Sequence, residues 1–258
     1  MKIAANISST LEKYFDGIFV ITLERATDRQ EQVKKRLEGL NFKFFYGVDK
    51  LKLSFEQVIS ENIYNEKEAK RLNRYSKGMV LGHVACALSH RKLYEHILEQ
   101  GYKRVLIFED DVVPLYDDLN EIGNPMNELP PDWEMIYFGY AKNEVATPKL
   151  KRKQKLYLAL SHLKLLKWSP LMVQNLLPKP FSQNLKRAGF HDLLHAYGVT
   201  DKACIKLVEA QTPVVFNSDP LVSYLIMNGR LNAFITNQQF FTQEQFIDES
   251  HRSFIHHL

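Results

Sequence analysis

Arg104 to Asp111 reads RVLIFEDD, an unbroken apolar run that ends abruptly in three carboxylates. Such a run marks a strand buried on both faces, as in a parallel sheet. A buried strand needs neighbours, and the chain before it supplies them. Gly17 to Leu23 (GIFVITL) is a second buried-strand pattern, and Phe42 to Val48 is a third. Between those two, Thr27 with Gln30 three residues on predicts a capping box that opens a helix, and Gly39 stands where that helix would stop. The result is a β-α-β unit, which argues for parallel pairing. Ser54 with Gln57 predicts another short helix, and Met79 to Leu98 repeats small and apolar residues at helical spacing until Gly101. Beyond the acidic triplet, Trp133 to Phe138 (WEMIYF) predicts a strand, and Ala196 to Val199 a weaker one before a helix capped by Thr200. The alternation predicts an α/β fold with an open, doubly wound sheet, whose ligands lie beyond the carboxyl ends of the strands.

The 258 residues are 45% apolar and 25% charged, proportions that exclude a disordered, collagenous or low-complexity chain. No apolar run reaches the roughly 18 residues of a bilayer span, and Met1 to Thr10 lack the apolar core of a secretory signal. The expectation is a soluble, cytoplasmic protein whose only cysteines, Cys86 and Cys204, are buried thiols. Without repeats or a Gly/Ser linker, residues 1–258 read as one domain. The net charge of +4 is unevenly spread: between Glu144 and Asp192 there is no acidic residue, while ten lysines and arginines leave the rest of the chain net negative. That pattern implies a local anionic partner rather than a uniformly basic binder of nucleic acid.

Alternation along the third strand sends Glu109 and Asp111 to one side and Asp110 to the other. Neighbouring carboxylates repel, and a cation relieves that repulsion. Hard oxygen ligands favour Mg²⁺ or Mn²⁺, and an ion bound by one or two carboxylates commonly carries a diphosphate on its remaining positions. The plain alternative is a solvated acidic turn.

At this point the sequence resembles glycosyltransferase family 25, the lipooligosaccharide and collagen galactosyltransferases. The resemblance is carried by GMVLGHVACALSHRKLYEHI (78–97), with Gly78, Gly82, Cys86, Ser89 and His90 at the family's positions, followed by VLIFEDDVVP (105–114). FVITLERATDR (19–29), FYGVD (45–49), DWEMIYFG (132–139), HAYGVT (195–200) and PVVFNSDPLVSYLI (213–226) extend it over most of the chain except about residues 141 to 190. The resemblance implies a GT-A type fold, Rossmann-like, with a mixed, mostly parallel sheet flanked by helices. It also implies a UDP-galactose or UDP-glucose donor, Mn²⁺ or Mg²⁺ at the Glu-Asp-Asp motif, and inversion at the transferred sugar.

Roles follow for individual residues. Glu109 and Asp111 are the expected metal ligands, with Asp110 toward the donor and His195 as a further ligand placed by resemblance alone. Inversion needs a base opposite the leaving group. Asp219, ahead of Pro220, is the candidate, with the alternative of a plain helix cap, and Asp192 is held in reserve. Here the chain reads Asn217-Ser218-Asp219, where family members carry an acidic residue in a Pro-Val-Asp-like segment. Arg25 and Arg29 suit the diphosphate, or else form ion pairs. Thr22 and Leu23 would meet the uridine through backbone groups, and Asp49 the base or ribose, with a turn-forming role as its alternative. Ser89 and His90 face the donor or support the acidic motif. His83, Cys86 and His90 at i, i+3 and i+7 also permit a zinc reading, for which no fourth ligand is evident.

The basic, leucine-rich insertion at about 145–191 has two readings: a helix lying in an anionic membrane interface near a glycolipid acceptor, or a lid whose leucines pack on the domain. The function expected is transfer of a hexose from a UDP-sugar to a saccharide or glycolipid hydroxyl, in lipopolysaccharide or other glycan synthesis. The enzyme would be cytoplasmic or peripheral at the inner membrane face, with no nucleic acid involved. Its rivals are a non-catalytic nucleotide-sugar or glycan binding protein on the same fold and a metal-dependent phosphohydrolase or nucleotidyltransferase.

Overall fold

The computed structural model describes residues 10–73 and 76–247, so almost all of the stretch from Met1 to Thr10 lies outside the described residues. The first half of the chain forms β1 (Gly17–Thr22), α1 (Thr27–Arg36), β2 (Lys43–Tyr46), α2 (Phe55–Ser60), α3 (Glu66–Leu72), α4 (Leu81–Glu99), β3 (Arg104–Glu109), β4 (Val112–Pro114) and α5 (Gly123–Glu128). The second half forms β5 (Met135–Ala141), α6 (Pro148–His162), α7 (Pro170–Gln174), β6 (Lys179–Pro180), β7 (Leu185–Arg187), β8 (Asp192–Thr200), α8 (Asp201–Ala210), α9 (Ser218–Met227), β9 (Ala233–Thr236) and β10 (Phe241–Gln243).

Eight strands make one sheet in the order β2-β1-β3-β8-β5-β9-β7-β6, and β10 pairs with β4 in a separate ribbon. β1 lies parallel to both β2 and β3, as the β-α-β reading expects. β8 runs antiparallel to both β3 and β5, and β7 antiparallel to β9, so the sheet is mixed while most of its strands share one direction. The short pattern Ala196 to Val199 thus belongs to a nine-residue strand through the middle of the sheet. Its length is hidden in the sequence because Asp192 and His195 break the apolar run.

The sheet is covered on both faces. Leu93, Tyr94 and Ile97 of α4, Cys204 and Leu207 of α8 and Leu221 and Leu225 of α9 pack on one side against Ile107, Tyr137 and Tyr197. Val33 and Leu37 of α1 and Met126 of α5 pack on the other against Phe108, Ile136 and Phe138. With α1 on one face and α4 on the other, the connections diverge between β1 and β3. Their carboxyl ends are therefore the switch point of the sheet, where such folds open a crevice.

Several local details depart from expectation. No capping box forms at α1, because the N-cap is Ala26 and Thr27 is already helical; the Gln30 amide instead donates to the Leu23 carbonyl at 2.9 Å. Ser54 and Thr200 do cap, accepting from the Gln57 and Ala203 amides at 3.1 and 3.3 Å. Gly39 (φ 98°) and Gly101 (φ 72°) occupy the left-handed conformation just past α1 and α4, which glycine adopts without strain.

Candidate active site

A cleft of about 390 Å³ opens at that switch point. Its wall includes Thr22 and Leu23 after β1, Arg25 and Arg29 from the following turn and α1, and Asp49 after β2. Ser89 and His90 of α4, Glu109, Asp110 and Asp111 at the end of β3, and Asp219 of α9 complete it. Residues spread across the chain thus meet in one place.

Alternation separates the triplet as expected. Asp110 is turned toward β1 and α1, where its carboxylate accepts from Thr22 Oγ1 and from Arg29 Nη1, each at 2.7 Å. Both of its oxygens are engaged, so Asp110 ties β3 to α1 and Arg29 enters the wall as an ion pair. Arg25 is likewise paired with Asp49, while Asp49 Oδ1 also accepts from the Leu51 amide at 3.1 Å. Burial opposes ionisation of Asp49, but the Arg25 and Leu51 hydrogen bonds carry its pKa below the ordinary value. Arg25 and Arg29 thus form the ion pairs of their alternative reading, and both pairs lie on the cleft wall.

Glu109 and Asp111 face the other way and share one amide: Gln243 Nε2 donates to Glu109 Oε2 at 3.1 Å and to Asp111 Oδ1 at 3.3 Å. On its far side Glu109 Oε1 meets His90 Nε2 at 3.3 Å, and His90 Nδ1 meets the Tyr197 hydroxyl at 2.7 Å, itself 2.9 Å from that of Tyr94. A buried chain of polar groups thus aims Glu109. Burial works against its charge, yet the His90 hydrogen bond, with His90 and His195 nearby, leaves its pKa below the ordinary value. For Asp111, burial with the Glu109 and Asp110 charges outweighs Arg29 and the Gln243 hydrogen bond and pushes its pKa up to about 8.

The described wall holds five carboxylates, at Asp49, Glu109, Asp110, Asp111 and Asp219, against three cations, at Arg25, Arg29 and Lys50. With Asp111 held protonated these charges nearly balance, and a cation arriving with a diphosphate would let Asp111 ionise as well. Glu109 and Asp111 fit that cation as a two-carboxylate site completed by substrate and water, the usual environment of Mg²⁺. An all-protein cage is a different matter, since no three His, Cys, Asp or Glu side chains among the described residues converge to hold a metal. His195, expected as a further ligand, is therefore corrected. It is buried outside the cleft wall, with Nε2 3.2 Å from the Phe241 carbonyl and packed over Gly139, which has no side chain to displace it. Its Nδ1 has no hydrogen-bond partner among the described residues. The zinc reading finds no site either: His90 is occupied by Tyr197 and Glu109, and no three His, Cys, Asp or Glu side chains among the described residues converge around Cys86.

Asp219 lies on the wall inside the first turn of α9, whose N-cap is Asn217, so the alternative of a plain helix cap does not hold. Its carboxylate accepts from Asn217 Nδ2 at 3.0 Å and from the Leu193 amide of β8 at 3.3 Å. Burial, with the Glu109 and Asp192 charges, raises its pKa to about 6. Asp192 is corrected as the reserve base: it is ion-paired with Lys142 and does not line the cleft. Ser89 supports the wall rather than facing a ligand, because its hydroxyl accepts from the Val48 amide and donates to the Ala85 carbonyl, both at 2.8 Å. A Cβ at Gly47 would lie 2.5 Å from that hydroxyl, so glycine is what lets the turn after β2 approach α4. Sequence reasoning missed Gln243 and Leu193. Gln243 sits on β10, three residues of weak pattern, whereas Leu193 adopts φ 73°, a strained value that only the backbone reveals.

A family model described as "Glycosyltransferase family 25 (LPS biosynthesis protein)" matches residues 15–222. The chain is 27% identical over 140 residues to human procollagen galactosyltransferase 2, covering 52% of this chain and 22% of that protein. It is 29% identical over 131 residues to the human inactive glycosyltransferase 25 family member 3, covering 48% and 22%. The matched stretch thus spans about a fifth of either relative's length. Among solved structures, the crystal structure of A197 from STIV aligns at TM-score 0.34 and 10% identity, covering 92% of this chain and 96% of that one. With a family match that runs from the start of β1 into α9 and takes in the cleft wall except for Gln243 and Gln245, this chain belongs to glycosyltransferase family 25.

Proposed function

We propose that the cleft binds a UDP-hexose, galactose before glucose, and transfers the sugar with inversion to a saccharide hydroxyl of lipopolysaccharide or a related glycan. The observation that carries this reading is the Gln243 amide shared between Glu109 and Asp111, two acidic side chains on the wall of a cleft at the switch point. Mn²⁺ or Mg²⁺ bound by that pair would neutralise charge on the departing diphosphate. The galactose preference leans on the human relative named a galactosyltransferase. Cys86 and Cys204 are free thiols, which suits the reducing cytoplasm, and we assign the reaction there.

In this reading the uridine rests against Thr22, Leu23 and Asp49, and Arg25 and Arg29 orient the phosphates from within their ion pairs. Asp219 takes the acceptor hydroxyl proton as that oxygen attacks the anomeric carbon. The bond from that carbon to the diphosphate oxygen breaks on the opposite face, UDP leaves, and the configuration inverts. A carboxylate with a pKa near 6 is mostly ionised at neutral pH and is basic enough to share the proton in the transition state.

The similarity to a human protein named inactive favours a second reading, a non-catalytic nucleotide-sugar binder. One assay separates the two. UDP-sugars are supplied with Mn²⁺ and a saccharide acceptor, and the products are identified. Release of intact UDP with a new glycoside supports transfer. UDP-sugar binding without turnover supports the binder, and release of UMP or phosphate would instead indicate a phosphohydrolase.

A further inference from the structure

α6 opens with Thr147, whose hydroxyl accepts from the Leu150 amide at 3.3 Å, followed by Pro148. Only one side of it is docked. Gln154 donates to the Val173 carbonyl at 2.7 Å, Tyr157 meets the Trp168 ring edge-on at 6.3 Å, and Ser161 is buried. These positions, three or four apart, define the inner stripe, so Arg152, Leu156, Ala159 and Leu163 fall on the opposite side. Leu156 is 58% exposed, Leu163 68% and Leu165 67%, values that rule out a lid in which these leucines pack on the protein. Lys149, Lys151, Lys153, Lys155 and Lys164 surround them, and no acidic side chain lies between Glu144 and Asp192 to neutralise the surface.

We infer that this outward face of α6 and the turn after it is a docking surface for an anionic lipid bilayer. The leucines enter the boundary between headgroups and acyl chains while the surrounding lysines and Arg152 meet lipid phosphates, the division of labour of an interfacial helix. No helix among the described residues is long and apolar enough to cross a membrane, so contact of this kind lies in the surface plane. The placement has a consequence for the cleft. α6 is entered from the carboxyl end of β5, which points in the same direction as β1 and β3, so the chain leaves the sheet toward this helix at the edge where the cleft opens. The docking goes beyond the transfer reading and does not depend on it.

Co-flotation of the full chain with vesicles tests it. The chain should float with phosphatidylcholine vesicles containing phosphatidylglycerol, not with pure phosphatidylcholine, and should be released as salt rises. The exposed double variant Leu156→Ser/Leu163→Ser should retain its melting temperature and lose binding by about tenfold or more, and Lys151→Glu/Lys155→Glu should do the same. Its UDP release on a water-soluble acceptor should match that of the parent, so failure of docking and failure of catalysis are read separately. Absence of flotation, flotation indifferent to anionic lipid, or flotation unchanged in the leucine variant would overturn the inference. So would a dimer in solution that the leucine variant abolishes without any vesicle binding.

Discussion

Asp219 is the residue on which the account places the most chemistry, and its environment makes two measurable demands. The pKa of its carboxyl is raised to about 6 because burial and the Glu109 and Asp192 charges disfavour ionisation, while the Leu193 amide partly offsets them. The rate of transfer should therefore fall as pH drops below about 6, and Asp219→Asn should lower kcat by roughly 10²- to 10⁴-fold with little change in UDP affinity. Stability should move the opposite way. An acid whose pKa is higher folded than unfolded keeps its proton longer in the native state. Its contribution is therefore fully present at low pH and lost as pH rises from about 4 through about 6. Asp219→Asn should raise the melting temperature at pH values above that window and leave it nearly unchanged below it, an effect on the order of 1 to 3 kcal/mol that thermal scans at two pH values would detect. His90 makes a different prediction. With one nitrogen at Glu109 and the other at Tyr197, His90→Phe should weaken the affinity for manganese, raising the metal concentration needed for half activity, while the helix stays folded. A metal titration of UDP release checks it. His90 and Glu109 are 19 residues apart, and Tyr197 lies 107 residues beyond His90, so the sequence could nominate these groups only singly.

At the level of elements, legibility followed from how local the signal is. β1 and β3 are unbroken apolar runs buried on both faces, and α4 repeats small and apolar residues over 19 positions, so each announces itself without reference to the rest of the chain. β4, β9 and β10 have three or four residues each and exist only through pairing with distant partners. The placement of Gln243 beside Asp111 depends on such a pairing, in which Gln243 stands opposite Val112 on β4. The junction of β5, β8 and β10 is also where the backbone is least forgiving. A Cβ at Gly139 would lie 2.1 Å from His195 Nε2 and 2.6 Å from the Phe241 carbonyl, with a register shift between β5 and β8 on either side. Gly139→Ala should cost at least about 1 to 3 kcal/mol, read from denaturant unfolding. Removing the hydroxyl that caps α8, Thr200→Ala, should cost only about 1 kcal/mol.

For the molecule as a whole, the cleft is a consequence of topology before it is a consequence of any side chain. α1 covers one face of the sheet and α4 the other, the chain reverses its winding between β1 and β3, and the carboxyl end of β3 carries the acidic triplet into the gap. Alternation then divides the triplet: Asp110 fastens the scaffold, and Glu109 with Asp111 is left facing the cleft under a single shared amide. The most direct test is calorimetric titration of UDP into the protein with Mn²⁺ and with chelator, repeated on Asp111→Asn. The account predicts that manganese tightens UDP binding by roughly tenfold or more, about 1.4 kcal/mol at the least, and that the substitution abolishes the difference. Equal affinity in chelator, or a manganese effect that survives in Asp111→Asn, would contradict it.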